Sequence, residues 1–131
     1  MSLRNPDLTK PFTAGATINP GRFIKFDTVD DRTVIQGAAA ADLVIGVSDT
    51  MTITSTVATG ERLDVILSGI APIVYGGTVT RGQLLISDSS GRAITATATA
   101  GSNVRTAGVA MVSGVVGDVG AILLSPGSFQ C

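Results

Sequence analysis

Gly60-Glu61-Arg62-Leu63-Asp64-Val65-Ile66-Leu67-Ser68-Gly69-Ile70-Ala71-Pro72-Ile73-Val74-Tyr75-Gly76-Gly77 runs into Thr78-Val79-Thr80-Arg81-Gly82-Gln83-Leu84-Leu85-Ile86-Ser87-Asp88-Ser89-Ser90-Gly91-Arg92, and this stretch decides the fold. Leu63, Val65 and Leu67 alternate with Arg62, Asp64, Ile66 and Ser68, the period of a strand with one buried face. Gly69 breaks the alternation, as a bulge or a close backbone approach does. The apolar run from Ile70 to Tyr75 ends at the Gly76-Gly77 turn. Pro72 has no N–H to give to a ladder, which predicts a bend or a sheet edge there. Leu84-Leu85-Ile86 forms a third run, closed by the turn sequence Asp88-Ser89-Ser90-Gly91.

Working outward, the rest of the chain reads the same way. Asn19-Pro20-Gly21 is a turn, and Arg22 to Phe26 alternates with Phe23 inward. Asp27 to Arg32 is a charged turn, Thr33 to Gln36 a short strand, and Val44 to Val47 another. Asp49 to Thr59 is a polar linker or exposed ribbon, and Ala93 to Gly101, alternating Thr and Ala, a loosely held ribbon or loop. Gly108 to Val112 and Val119 to Leu124 are the last strands. Ahead of them all, Pro6 and Pro11 keep their neighbours out of helical geometry, and Leu3, Leu8 and Phe12 fit no amphipathic helix. The expected organisation is an extended N-terminal arm over 1–12, one β domain over 13–127 and a short tail over 128–131.

The two halves echo each other. Gly21, Asp27 and Arg32 have counterparts in Gly82, Asp88 and Arg92. Ile45-Gly46-Val47-Ser48 corresponds to Ala107-Gly108-Val109-Ala110, and Gly60 to Leu67 corresponds to Gly117 to Leu124. Two such halves closed around one core predict an all-β fold, a small closed barrel or sandwich of short antiparallel strands with pseudo-twofold symmetry. Closure removes the unpaired edges that otherwise aggregate.

Composition sets the limits on function. Of 131 residues, 44% are hydrophobic but only 4% aromatic, so the core is built of Val, Ile, Leu and Ala. Charged residues make up 15%, against roughly 25% in an average soluble domain. Two readings fit: part of the surface is covered by other protein, or the exterior is rich in Thr and Ser. Nine basic and ten acidic residues without a basic run give no footprint of a nucleic-acid binder. No apolar segment is long enough to span a membrane as a helix. The single cysteine, Cys131, allows no internal disulfide and no multi-cysteine metal site.

Catalytic chemistry is missing from the residue list. There is no histidine, which removes the common triads and most transition-metal sites. Asp27, Asp30 and Asp31 carry oxygen ligands but lack the calcium-loop pattern, and read as a solvated turn. Glu61 and Asp64 point to opposite faces of one strand and cannot act as a pair. The rhythm Gly76, Val79, Gly82, Leu85 resembles lipoyl and biotinyl carrier hairpins. Those carry a lysine at a hairpin tip, whereas the lysines here are Lys10 and Lys25. Asp64 and Tyr75 lie too far apart for the nucleoside hairpin of a trimeric dUTPase. The expectation is no enzyme, no cofactor, and neither metal-binding nor catalytic residues.

The order Ile18-Asn19-Pro20-Gly21-Arg22-Phe23-Ile24-Lys25, Ile45-Gly46-Val47-Ser48-Asp49, Gly60-Glu61-Arg62-Leu63-Asp64-Val65, Gly77-Thr78-Val79-Thr80-Arg81-Gly82 and Leu123-Leu124-Ser125-Pro126-Gly127 resembles one family. It is similar to the capsid cement, or head decoration, proteins of tailed bacteriophages, and the resemblance runs from about Pro11 to Gly127. It implies a structural protein on the outer surface of the virion, made in the host cytoplasm, that stabilises contacts between major capsid protein subunits. The implied partners are the major capsid protein and further copies of itself, as a dimer or trimer, with no nucleic acid and no membrane. Leu3, Leu8 and Phe12 on the arm are the candidate capsid contacts. Ile66, on the face opposite Leu63 and Val65, is the candidate oligomer contact. The alternative is a carbohydrate- or receptor-binding fibre or spike module, for which Tyr75 is the main aromatic on offer.

Overall fold

The computed structural model describes residues 5–40, 42–49, 56–96 and 103–130, and Leu3 lies outside them. The described residues form nine strands and no helix: β1 (Asn5–Ala14), β2 (Phe23–Phe26), β3 (Thr33–Gln36), β4 (Val44–Ser48), β5 (Arg62–Val74), β6 (Leu84–Ser87), β7 (Ala93–Thr95), β8 (Asn103–Ala110) and β9 (Val119–Gln130). The fold is all-β. All strands belong to one sheet, in the order β1-β3-β2-β4-β5-β9-β8-β6-β7, with a further pairing of β1 to β5.

That further pairing closes a ring. β1 runs parallel to β3 at Thr13↔Thr33 and Ala14↔Val34, while β3–β2, β2–β4 and β4–β5 are antiparallel. β5 then returns to β1 along the register from Thr13↔Arg62 to Asn5↔Ile70. The other end of β5 starts a second circuit. Gly69 to Val74 pairs with β9, β9 with β8, β8 with β6 and β6 with β7. The parallel bridge Tyr75↔Ala93 brings β7 back to the end of β5.

The two circuits repeat one hydrogen-bond plan. Gly15 N–H donates to Val34 O and Gly76 N–H to Ala93 O, both at 2.8 Å. Ala14 N–H meets Glu61 O as Tyr75 N–H meets Asp118 O, again both at 2.8 Å. Ile18 and Val57 exchange two backbone bonds, as do Val79 and Gly114. Gly60 and Gly117 occupy the same turn with φ of +88° each, a backbone region that glycine enters without steric cost. A Cβ on Gly46 would strike the carbonyl oxygen of Ile66, and one on Gly108 would strike that of Leu123. The halves echoed in the sequence are one structural unit used twice.

Each unit has its own core, where the sequence led us to expect one core for both. Phe12, Ala14, Ile18, Ile24, Val34, Leu63 and Val65 fill the first ring. Ile73, Tyr75, Val79, Leu85, Ala93 and Ile122 occupy the matching positions of the second. The cause is the length of β5: thirteen residues extend over roughly 40 Å, more than one small ring uses. The strand therefore ends the first ring and begins the second.

Pro72 sits inside β5 with no interruption of the strand. Backbone N–H groups alternate in direction along a strand, so Pro72 N points the same way as Val74 N. Val74 N–H leaves the ladder with β9 and donates to Gly21 O at 2.9 Å. Pro72 thus faces the side of β5 where the β1 pairing has already ended at Ile70. It is a local edge within a central strand, which is where proline is tolerated.

Residues 5–12, set apart as an arm on the sequence, are a strand of the first ring with Phe12 in its core. The tail also joins the sheet, since β9 continues past Gly127 and pairs Asn103↔Gln130.

Candidate interaction surfaces

Strand alternation gives each unit an inner and an outer row, and the outer rows are where the units differ. In the first unit Phe23, Val47 and Ile66 stand side by side, through the cross-strand pairs Phe23↔Val47 and Val47↔Ile66. All three are fully buried, and they join the core cluster of the second unit rather than of their own. In the second unit the equivalent row is Leu84, Val109 and Leu123, in the same register, Leu84↔Val109 and Val109↔Leu123. Here Leu84 and Leu123 are 42% and 41% exposed and Val109 half-buried. Met111, just past the end of β8, and Val119, at the start of β9, are exposed as well.

The first row is covered because it packs over the mouth of the second ring. Phe23 N–H donates to Gly91 O at 2.8 Å, and a Cβ on Gly37 would touch both Ser87 Oγ and Phe23 Cβ. Around this seam the Ser90 carbonyl accepts Arg22 Nη1 at 2.9 Å and Gln36 Nε2 at 2.7 Å. Small residues at the mouth, Ser87 and Ala107, make room for the row. Such a close, hydrogen-bonded seam fixes the two units as one body.

At the mouth of the first ring the counterparts of Ser87 and Ala107 are Phe26 and Ile45. Among the described residues no outer row packs over it. An open groove of about 510 Å³ is lined by Lys25, Phe26, Thr28, Ile35, Asp42, Leu43 and Ile45. Phe26 and Leu43 are 48% and 60% exposed. Phe26 is propped from below by Phe12, edge to face at 5.9 Å between centroids, and Lys10 Nζ lies 5.3 Å from the centre of the Phe12 ring. At the rim Lys25 Nζ pairs with Asp42 Oδ1 at 2.9 Å. Partial burial raises the Asp42 carboxyl, but the Lys25 ammonium and the N–H groups of Ala38 and Ala39 outweigh it and hold the acid below its ordinary range.

The residues singled out on the sequence fall in different places. Leu8 is 54% exposed on β1, between two register shifts of its pairing with β5. Phe12 is buried, and its role is to carry Phe26. Ile66 lies on the face opposite Leu63 and Val65, as its alternation implies, but that face is covered by the chain's own second unit. Tyr75 is also fully buried, its hydroxyl donating to Val112 O at 2.6 Å, so it offers no ring for stacking on a sugar. Asp30 caps the β2–β3 turn, accepting the N–H groups of Arg32 at 2.8 Å and Thr33 at 2.9 Å. These bonds to its charged form lower its pKa. No group of three or more His, Cys, Asp or Glu gathers among the described residues.

A family model described as phage cement protein matches residues 4–124. A search of curated proteins finds no match. Among solved structures the fold is similar to the N base of the head fibre protein gp8.5 of bacteriophage phi29. That likeness has a TM-score of 0.65 at 15% identity and covers 95% of this chain and 98% of that one. The chain belongs to the phage cement protein family, and is a structural phage protein associated with the virion.

Proposed function

We propose that the protein is a capsid cement that sits on the outer surface of the phage head and braces neighbouring major capsid protein subunits. The family match over nearly the whole chain is the observation that carries this reading. The fold supplies what the role needs. A ring closed by β1 and β5, and a second circuit bridged at Tyr75↔Ala93, share one strand and leave the sheet few free edges. A capsid presents one binding site many times over, so modest contacts per copy, joined in a homo-oligomer, give firm attachment through effective concentration. Leu8, exposed on β1, is the described candidate for the capsid contact. Nothing in this role calls for catalysis, a cofactor, nucleic acid or a membrane, and the near-neutral balance of nine basic and ten acidic residues suits the outside of a head better than the side facing DNA.

Co-sedimentation with purified heads tests the reading. The protein should pellet with expanded, mature heads, and Leu8→Asp should reduce the bound fraction while the fold is kept. A protein that stays in the supernatant with mature heads would refute it. A second reading, the base of a head appendage, draws on the likeness to the phi29 fibre base. Labelling on intact virions separates the two: cement coats the shell evenly, whereas an appendage base carries further protein above it.

A further inference from the structure

We infer that the exposed row Leu84–Val109–Leu123 of one copy docks into the open groove of Phe26, Leu43 and Ile45 on a second copy, so that the chain assembles head to tail. The inference rests on the homo-oligomer part of the reading above and names the surfaces that would build it.

The chain contains its own precedent. In the first unit the row Phe23–Val47–Ile66 caps the mouth of the next ring, where Ser87, Gly91 and Ala107 receive it. One unit capping the next consumes one row and one mouth. It leaves a row on the second unit and a mouth on the first, and both are open. An outward sheet position facing water is ordinarily polar. Outward positions of β1 in the first unit are Thr9, Pro11 and Thr13, yet the second unit keeps leucine at two of the three row positions.

Chemistry at the two surfaces agrees. The row carries no charge, and the groove's one ion pair, Lys25 with Asp42, is already satisfied within the chain, so docking buries no unpaired charge. The groove is lined by bulkier side chains than the occupied mouth, with Phe26 and Ile45 in place of Ser87 and Ala107, and so leaves less room. The incoming row is correspondingly slimmer where Leu84 stands in place of Phe23. Because row and groove lie on different units, the contact is heterologous, and a rotation that closes gives a ring.

Analytical ultracentrifugation of three proteins tests this: the unaltered chain, Leu84→Glu/Leu123→Glu, and Leu43→Glu. The unaltered chain should be a discrete oligomer. Each variant should be monomeric, with self-association weakened at least about thirty-fold, the loss of a central apolar contact at an interface, and with an unchanged β-sheet circular dichroism spectrum. Mixed one to one, the two variants keep one intact row and one intact groove between them and should form a heterodimer and nothing larger. A mixture that stays monomeric, or a variant that still assembles like the unaltered chain, overturns the inference and leaves the cement reading standing. An unaltered chain that is monomeric overturns the inference and the homo-oligomer part of that reading together, while co-sedimentation with heads judges the capsid part independently. Should the glutamate pair fail to fold, Leu84→Ser/Leu123→Ser removes the same apolar surface and carries the same expectations.

Discussion

The most demanding consequence of the duplicated ring concerns Tyr75. In the first unit the positions matching Tyr75, Gly114 and Gly120 hold Ala14, Val57 and Leu63, all in the first core. The second unit has exchanged one small and two larger side chains for one ring and two glycines. The exchange is sterically strict, since a Cβ on Gly114 or Gly120 would press into the Tyr75 ring. Tyr75→Ala alone should cost about 3–5 kcal/mol, the usual range for truncating a buried aromatic, and should strand the Val112 carbonyl that its hydroxyl serves at 2.6 Å. Gly120→Leu alone overpacks the same space, at about 1–3 kcal/mol or more. If the effects were independent, the double variant would lose roughly 4–8 kcal/mol, most of the stability of an ordinary domain.

The first unit shows that alanine and leucine can share this space. We therefore expect Tyr75→Ala/Gly120→Leu to be more stable than Tyr75→Ala, the leucine refilling the cavity and the stiffer residue suiting a strand. The coupling should exceed about 2 kcal/mol and be favourable, near the upper end of values for residues in direct contact. Urea unfolding followed by circular dichroism at the β-sheet band measures all four proteins of the cycle. Additive losses, or a double variant less stable than Tyr75→Ala, would refute the claim that the two rings solve one packing problem in two ways.

Further expectations follow from the same structure. Gly46→Ala and Gly108→Ala each drive a methyl into a carbonyl oxygen, of Ile66 and Leu123 respectively, so both should destabilise by about 1–3 kcal/mol and by similar amounts; a harmless substitution at either site in thermal unfolding would contradict the equivalence. Tyr75, the chain's single tyrosine, has its pKa raised first by burial, against the lowering effect of its hydrogen bonds to Ala121 and Val112. A raised folded pKa means stability that is complete below the unfolded value of about 10 and is lost as pH climbs through the folded one. Phenolate absorbance in the folded protein should therefore appear only above the ordinary value of about 10, and a reversible titration near pH 10 in the folded protein would count against it. Asp42 has its folded pKa depressed, so its contribution is present above the unfolded value of about 4 and is lost as pH falls through the folded one. Asp42→Asn should flatten the acid limb of a stability–pH curve, and an unchanged limb would show the Lys25 pair to be idle.

Much of this fold was legible, and where it was not the reason is physical. Alternation at Leu63, Val65 and Ile66 fixes which side chains share a face, because a strand has a period of two. It carries no information about what lies over the second face, so Ile66 reads as an oligomer contact when it is a seam between repeats. Phe12 reads as an arm anchor because two prolines flank an irregular apolar set. The parallel register Ala14↔Val34 that draws it into the ring joins residues twenty positions apart and leaves no local trace. The open groove was legible in principle. Carrying the repeat on from Asp27 and Asp88 by one residue sets Phe26 against Ser87, an aromatic against a small polar residue at a matched inward site. That mismatch marks a mouth that stays open in one unit and is filled in the other.

Duplication also explains why so little charge suffices. The first unit has its outer row covered and its mouth exposed, and the second has the reverse, so the two copies of one design cannot be interchanged. The exposed surfaces differ accordingly: Phe26 and Leu43 lie where the second unit has Ser87 and Arg105, and Leu84 lies where the first has Phe23. On the proposed reading, attachment works through shape and apolar area, and charged groups serve chiefly to close turns, as Asp30 and Asp88 do by accepting backbone N–H groups. Recognition through paired charges would weaken with salt over a Debye length of about 8 Å, whereas apolar docking holds or strengthens in it. Self-association should therefore be insensitive to salt, or tighten with sulfate, and a marked loss of assembly in molar sodium chloride would show that charge carries it instead.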